Sequence, residues 1–188
     1  MLKIAIITGS VRPTRVNEQV ARWVLTEAQK RGDAEYTLVD IKDFDLPLLD
    51  EALPAGYGQY ANAHTKKWAD TIRPFDGFVF VTPEHNHSTS SALKNALDYL
   101  FAEWNNKAVG FVSYGSAYGV RAVEHLRQIA GELQLADVRT GVQMSLFTDF
   151  TDNSTVFKPD PRHLDTLKEM LDQLVAWSGA LKPLRKGA

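Results

Sequence analysis

Small, hydroxyl-bearing and basic residues follow the first apolar segment, in the run Thr-Gly-Ser-Val-Arg-Pro-Thr-Arg-Val-Asn over residues 8–17. The apolar segment, residues 2–7, has the pattern of a buried strand, and a helical pattern begins near Asn17. Hydroxyl, amide and backbone N–H groups at the start of a helix can donate to an anion, and Arg12 and Arg15 would balance its charge. This loop is therefore a candidate phosphate-binding site.

Two common nucleotide-binding loops do not match this run. From Gly9 onward, neither G-x-x-x-x-G-K-S/T nor G-x-G-x-x-G can be read. On this loop alone, an ordinary strand-to-helix turn with two solvated arginines stays open as an alternative. A second site is needed to decide between the two interpretations.

Composition narrows the class of protein. The chain has 188 residues, 44% hydrophobic and 23% charged, which is typical of one globular domain. A formal net charge of -2 offers no basic surface to nucleic acid or an anionic membrane. Cysteine is absent, which excludes disulfides and thiolate catalysis and fits a cytoplasmic protein. No apolar run is long enough to span a membrane.

Apolar runs alternate with helical periodicity along the chain. The run at residues 77–82 is apolar at consecutive positions, as in a central strand covered by helices on both faces. This alternation predicts an open, doubly wound α/β sheet of five parallel strands in the order 2-1-3-4-5, as a single domain over residues 1–188. A polar loop is expected at residues 148–160. The five strands are predicted at residues 2–7, 35–40, 77–82, 108–113 and 138–144.

Two further loops share the sheet edge of the first one. In such a sheet, ligands bind beyond the carboxyl ends of the strands, where the order reverses between strands 1 and 3. One loop reads Thr-Pro-Glu-His-Asn-His-Ser over residues 82–88, and the other reads Ser-Tyr-Gly-Ser-Ala-Tyr-Gly over residues 113–119. Their glycines allow a flat ligand to approach main-chain N–H groups closely. The three loops together suit a phosphorylated, planar heterocycle such as FMN.

Three motifs in combination resemble the NADPH-dependent FMN reductase family, whose flavodoxin-like members include quinone, azo-dye and chromate reductases. They are Gly-Ser-x-Arg-x-x-x-x-Asn at residues 9–17, Thr-Pro-Glu-His-Asn at residues 82–86 and Leu-Lys-Asn-Ala-Leu-Asp at residues 93–98. The resemblance runs from the first strand through the helix after Gly119. It implies a flavodoxin-like fold, FMN as cofactor, NADPH or NADH as co-substrate, and a homodimer or homotetramer.

The resemblance also implies a set of FMN contacts spread over all three loops. These are Ser10, Arg12 and Asn17 at the phosphate, Pro83, Glu84, His85 and Asn86 along the flavin ring, and Ser116, Ala117, Tyr118 and Gly119 at its other edge.

Two positions depart from the commonest pattern of that family. Arg15 stands where many members have Ser, and its charge would either strengthen phosphate binding or extend toward the pyridine nucleotide. Residues 85–87 are His-Asn-His where many members have Tyr-Asn-Gly. His85 keeps a planar ring but introduces a group that titrates near neutral pH.

The predicted chemistry belongs to the cofactor. NAD(P)H would pass a hydride to the flavin N5, and electrons would then go to a quinone, a free flavin, an azo compound or a metal oxyanion. No catalytic side chain and no metal is required. The protein must hold the ring, leave one face open and donate hydrogen bonds where negative charge gathers. Candidate donors are backbone N–H groups near residues 116–119 and Asn86.

Competing interpretations rest on weaker signals. A flavodoxin-like electron carrier would share the FMN site without oxidising pyridine nucleotides, but it would need a strongly acidic docking surface. His85 and His87 lack the cysteine or His-Glu-x-x-His partners of a metal site. Ser116 lies one position early for a Gly-x-Ser-x-Gly nucleophile elbow. A phosphoacceptor receiver needs acidic residues at positions 8–10, which are Thr-Gly-Ser.

Segments outside the loops carry simpler expectations. Residues 44–60 are either a loop packed on the sheet edge or a lid and subunit contact beside the flavin. Trp68 and Trp104 belong either to the core or to a subunit interface. Surface positions are expected for His64, His125 and His163 and for the end of the chain, residues 184–188.

Overall fold

The computed structural model describes residues 1–185, and a parallel sheet forms its centre. Its strands are β1 Leu2–Thr8, β2 Ala34–Asp40, β3 Gly77–Pro83, β4 Lys107–Gly115, β5 Leu135–Asp137 and β6 Val142–Ser145. They lie in the order β2-β1-β3-β4-β5, and β6 also pairs with β4. This arrangement confirms the predicted strand order.

Helices cover both faces of the sheet. One layer, α2 to α4, packs on the face of β3 and β4 that carries phenylalanines, and the other layer, α1 and α5, packs on the opposite face. The helices are α1 Asn17–Gln29, α2 Ala63–Ile72, α3 Ser91–Asp98, α4 Val120–Glu132 and α5 His163–Leu181.

The two tryptophans in question belong to the core. Trp68 and Trp104 are fully buried, and their indole N–H groups donate to the carbonyls of Ala96 at 2.8 Å and Leu97 at 3.2 Å. The Trp104 ring also meets Phe78 with 5.0 Å between ring centroids. Because both donors are satisfied inside the fold, these rings pack the layer between the sheet and α2 and α3.

The last strand differs from the single strand predicted at residues 138–144. It is divided into β5 and β6, which both pair with β4 in parallel. At the break, the Arg127 guanidinium donates to the carbonyls of Val138 and Arg139, both at 3.0 Å. These carbonyls are therefore satisfied by a side chain instead of a neighbouring strand.

The expected polar loop at residues 148–160 contains a short hairpin, β7 Phe150–Thr151 and β8 Val156–Phe157. The surface position expected for His163 is wrong, because this residue is buried and its Nε2 lies 2.8 Å from Oδ1 of Asp149. Asp149 also accepts the backbone N–H groups of Ser145 at 2.8 Å and Asp160 at 3.1 Å. The buried carboxylate ties the hairpin segment to β6 and α5.

Residues 44–60 pack against α3. The Asn95 side chain donates to the Pro47 carbonyl at 2.7 Å and accepts the Leu49 N–H at 3.0 Å. The Tyr99 hydroxyl donates to Asp50 at 2.9 Å. Leu48 nevertheless stays 83% exposed, so the segment also presents apolar surface to solvent. Its predicted role as a lid or subunit contact stays a prediction.

Charged side chains are buried at the amino end of the sheet. Lys107 is buried, and its Nζ donates to the carbonyls of Ile72 at 3.3 Å and Arg73 at 2.9 Å. Asp76, also buried, pairs with Lys182 at 3.1 Å and with Arg185. The solvated end expected for residues 184–188 is therefore wrong at Arg185, and residues 186–188 lie outside the described part.

Burial lowers the pKa of Lys107 from its ordinary value of 10.5 to about 7. From pH 7 to 9 the unfolded chain therefore binds more protons than the native one, so this lysine makes stability rise with pH, by at most about 1.4 kcal/mol per pH unit. Lys107→Met should remove that rise. Urea unfolding of both proteins at pH 7, 8 and 9 measures it, and parallel pH profiles would contradict the prediction.

Candidate functional site

The carboxyl ends of β1, β3 and β4 bring the three predicted loops together. Thr8 pairs with Val81 and Pro83 with Tyr114, so the loops begin at neighbouring strand ends. Two adjoining cavities, of about 500 and about 270 Å³, open between them and share Ser10, Arg12, Glu84 and His85. The first also contacts residues 90–92 of α3, and the second contacts Arg15, Pro83, Tyr114, Gly115, Leu146 and residues 153–155.

The backbone of the first loop lies in direct contact with β3. The Gly9 N–H lies 2.8 Å from the Val81 carbonyl, and a Cβ on Gly9 would lie 2.5 Å from that oxygen. The buried Asn17 side chain accepts the Gly9 N–H at 2.9 Å and donates to Val81 at 2.9 Å. Asn17 therefore connects the first loop to β3 from inside the fold. Its predicted contact with phosphate stays a prediction.

Ser90 connects the first loop to α3. Its hydroxyl accepts the Leu93 N–H at 3.1 Å, which caps the helix, and donates to the Gly9 carbonyl. The start of α3 is thus fixed to the same glycine that Asn17 and β3 hold. The loop is ordered by contacts within the fold.

The two arginines of the first loop have different surroundings. The Arg15 side chain is only 8% exposed, donates to the Ser10 carbonyl at 2.7 Å and pairs with Asp40 at the end of β2. Burial alone would raise the pKa of Asp40, but hydrogen bonds from Thr8, the Lys42 backbone and Arg15 lower it overall. Within residues 1–185, the Arg12 guanidinium makes no hydrogen bond or ion pair. Arg12 therefore carries the available positive charge of this loop.

The second loop contains a tight turn. His85 and Ser88 exchange backbone hydrogen bonds of 2.9 and 3.1 Å, and the residues between them, Asn86 and His87, have φ values of 48° and 75°. Two successive left-handed residues make the two-residue turn that favours Asn-Gly. His87 therefore occupies a position suited to glycine. Its backbone conformation is strained for a residue with a side chain.

Glu84 is held in the site by a residue that the sequence analysis missed. Its carboxylate is buried, pairs with the Arg121 guanidinium and accepts the Arg121 N–H at 3.2 Å. The Arg121 Nη1 also lies 3.1 Å from Nδ1 of His87. Because arginine only donates, this His87 nitrogen accepts the hydrogen bond. Arg121 is the second residue of α4, just after the third loop, and this position is the sequence signal that could have identified it.

The surroundings of His85 disfavour its protonated, charged form. Burial, and then the nearby positive charge of Arg12, lower the pKa of His85 below its ordinary value. These surroundings therefore favour the neutral imidazole. The predicted planar wall of the flavin site is thus favoured in its uncharged form.

The third loop presents its first residues to the cavity. Tyr114 and Gly115 line the smaller cavity, whereas the predicted residues 116–119 line neither cavity in the described part. A Cβ on Gly119, whose φ is 74°, would lie 2.7 Å from the Cβ of Ser113. Gly119 is thus required by the local backbone. The predicted contacts of Ser116, Ala117, Tyr118 and Gly119 with the ring edge stay predictions.

The turn of the β7–β8 hairpin was also missed. Residues 153–155 line the smaller cavity together with the first loop. The run Asp-Asn-Ser-Thr at residues 152–155, between Phe150 and Phe157, is a turn signal in the sequence. Nothing local indicates that this turn lies beside residues 10–16, more than a hundred positions earlier.

The described part of the chain has neither a metal-binding cluster nor a membrane-spanning helix. Residues 1–185 contain no group of three or more histidine, aspartate or glutamate side chains arranged to hold a metal ion. Across that part of the chain, no helix combines the length and apolar character needed to cross a bilayer.

Solved flavoenzyme structures share this fold. FerB, an NAD(P)H:acceptor oxidoreductase of Paracoccus denitrificans, matches with a TM-score of 0.74 at 20% identity, over 96% of this chain and 98% of that one. The NADH:FMN oxidoreductase EMOB matches with a TM-score of 0.70 at 21% identity, over 94% of this chain and 89% of that one. The fold is therefore that of the flavodoxin-like proteins, as predicted.

Sequence comparison defines the family more closely. Residues 2–149 match the NADPH-dependent FMN reductase model. An NAD(P)H-dependent FMN reductase of Schizosaccharomyces pombe is 38% identical over 174 residues, 89% of this chain and 86% of the relative. A quinone reductase of Pseudomonas putida is 31% identical over 186 residues, 93% of each chain. The chain belongs to the NADPH-dependent FMN reductase family, which confirms the predicted class of FMN- and NAD(P)H-dependent oxidoreductase.

His87→Gly should stabilise the protein by roughly 0.5–1 kcal/mol, because glycine adopts a positive φ without the steric cost that histidine incurs. Chemical unfolding measures the change. His125→Gly is the matched control, since it removes a ring on α4 and should destabilise that helix. A loss of stability in His87→Gly would contradict the prediction. It would mean that the His87–Arg121 contact stabilises the protein by more than the positive φ of His87 costs.

Proposed function

We propose that the three strand-end loops bind FMN, with the phosphate at the first loop and the isoalloxazine ring beside the second. The observation that carries this proposal is the contrast between the two arginines. Arg15 is neutralised by Asp40, whereas Arg12 faces both cavities without a partner among residues 1–185. An unpaired guanidinium next to the N-terminus of α1 fits a phosphate dianion.

The second and third loops fit the flat end of the same ligand. Pro83, Glu84 and the neutral His85 form one side of the smaller cavity, and Gly115 forms another side without a side chain. The Glu84 charge is compensated by Arg121, so the carboxylate does not oppose a ring that gains electrons. Where the ring would lie, the cavities are lined by Pro83, His85 and the charge-paired Glu84, and where the phosphate would lie they are lined by Arg12.

Bound FMN would supply the redox chemistry, accepting a hydride from NAD(P)H and passing electrons to the acceptor. The chain's own residues would hold the ring and donate hydrogen bonds to it. We assign the backbone N–H groups of Asn86, Ser116, Ala117 and Gly119 to that donor role, because the Tyr118 N–H already donates to the Gly115 carbonyl at 3.1 Å. Asn86 lines the larger cavity, which supports its share of the assignment.

A quinone is the acceptor that the relatives favour. Besides the Pseudomonas putida enzyme, a 2-hydroxy-1,4-benzoquinone reductase of Burkholderia is 29% identical over 94% of this chain and 96% of the relative. The larger cavity, lined by residues 10–12, 84–86 and 90–92, is open beside the proposed ring position. We propose that nicotinamide and quinone use this cavity in turn. Free flavin, azo compounds and metal oxyanions are the further acceptors to compare.

The proposal extends to assembly and location. Leu48, Leu49, Leu53 and Tyr57 expose apolar surface on residues 44–60, which supports a homodimer or homotetramer. Light scattering in solution is the measurement that decides the subunit number. The absence of cysteine supports a cytoplasmic location.

Catalytic turnover separates the reductase from an FMN electron carrier. Purified protein with one equivalent of FMN should oxidise NADPH or NADH rapidly only when 1,4-benzoquinone is present. The loss of absorbance of the pyridine nucleotide measures the reaction, and FMN with quinone but without protein is the control. A rate equal to that control with both nucleotides would contradict the reductase and favour the carrier.

Arg12→Ala should weaken FMN binding about ten- to a hundredfold, because it removes a charge-assisted contact worth roughly 1.5–3 kcal/mol. Fluorescence titration of the apoprotein measures the affinity. Arg12→Lys, which keeps the charge without the planar fork, should lose less. Because Arg12 is exposed and unpaired within residues 1–185, thermal stability should not change. Unchanged FMN affinity in Arg12→Ala would refute the phosphate site.

A further inference from the structure

The turn of the β7–β8 hairpin has an unusual backbone. Asp152, Asn153 and Ser154 are three successive residues in the left-handed region, with φ values of 50°, 55° and 64°. Single Asn or Asp residues adopt this region readily, but a run of three without glycine is uncommon. Such conformations persist where the surroundings impose them, and they cluster at ligand sites.

The hairpin is tied to the helix behind the first loop and to the end of β6. In the first turn of α1, the Gln19 side chain donates to the Thr155 carbonyl at 2.9 Å and accepts the Phe157 N–H at 3.0 Å. The Phe157 ring meets Trp23 of α1 edge-on, with 5.8 Å between centroids. The Ser154 hydroxyl donates to the Leu146 carbonyl at 3.3 Å. The turn is therefore fixed in place beside the start of α1.

This position brings the turn to the proposed phosphate. Asn153 and Ser154 line the same cavity as Ser10 and Arg12. Within residues 1–185, the backbone N–H groups of both turn residues and the side-chain amide of Asn153 have no hydrogen-bond acceptor. Asp152, the one acidic residue of the turn, does not line the cavity. The turn thus offers donors to an anion at a helix N-terminus.

We propose that the turn at residues 152–155 is a second phosphate-binding element, in which Asn153 and Ser154 contact the FMN phosphate and Gln19 is a positioning residue. This inference rests on the proposed FMN site and extends it. The match to the family model ends at residue 149, before the turn begins. The phosphate would then lie between Arg12 on one segment and the turn on the other.

Comparison of FMN with riboflavin tests the assignment, because the two flavins differ only in the phosphate. Full-length apoproteins are titrated with each flavin, and the quenching of flavin fluorescence gives the dissociation constants. Asn153→Gly and Gln19→Ala should each weaken FMN binding about tenfold and leave riboflavin binding unchanged. Both side chains are exposed, so the variants should fold, and thermal melting checks this.

Gln134→Gly is the matched control. Gln134 has a φ of 53°, as the turn residues do, but lies at the amino end of the sheet. The Gln134→Gly substitution should relieve the strain of the positive φ without changing the affinity for either flavin. Hydrogen exchange gives an independent readout, since FMN, unlike riboflavin, should slow exchange of the Asn153 and Ser154 amides in the wild-type protein.

The outcomes separate this inference from the proposed function. Wild-type FMN affinity in both Asn153→Gly and Gln19→Ala, with no FMN-specific protection of the two amides, would overturn the role of the turn while leaving the Arg12 site intact. Equal losses for FMN and riboflavin would overturn the phosphate assignment. Failure of the wild-type protein to bind FMN at all would refute the proposed site and this inference together.

Discussion

The site depends on the close approach of Gly9 to β3. Because no side chain separates them, the Gly9 N–H reaches the Val81 carbonyl, and Asn17 bonds to both groups from inside the fold. The first loop, β3 and α1 therefore share one buried connection, to which Ser90 adds the start of α3. Ligand groups at this edge meet a surface that is already ordered, which reduces the entropy lost on binding.

Most charged side chains around that connection are paired with a side chain of opposite charge. Arg15 is paired with Asp40 and Arg121 with Glu84, so these arginines stabilise the loops that carry them. The pKa of His85 is lowered, which favours its neutral ring. Arg12 is left to meet an anion. The site thus combines one unpaired positive charge with walls whose other charges are paired, an arrangement suited to a phosphorylated flavin.

The strand order and the three loops could be predicted from the sequence because they depend on local patterns: consecutive apolar residues for buried strands, and glycine or polar residues at their carboxyl ends. The pairs Arg15–Asp40, Glu84–Arg121 and Asp149–His163 could not, because each joins residues that only the tertiary fold brings together. The break between β5 and β6, where Arg127 donates to the Val138 carbonyl, could not be predicted for the same reason. The hairpin beside the phosphate loop likewise needs the folded chain.

Equilibrium dialysis of the protein against FMN, followed by the visible absorption spectrum, tests the central claim most directly. A site built from these three loops predicts one FMN bound per chain, with flavin bands shifted from those of free FMN. Equal flavin concentrations on both sides of the membrane, with the spectrum of free FMN throughout, would contradict it.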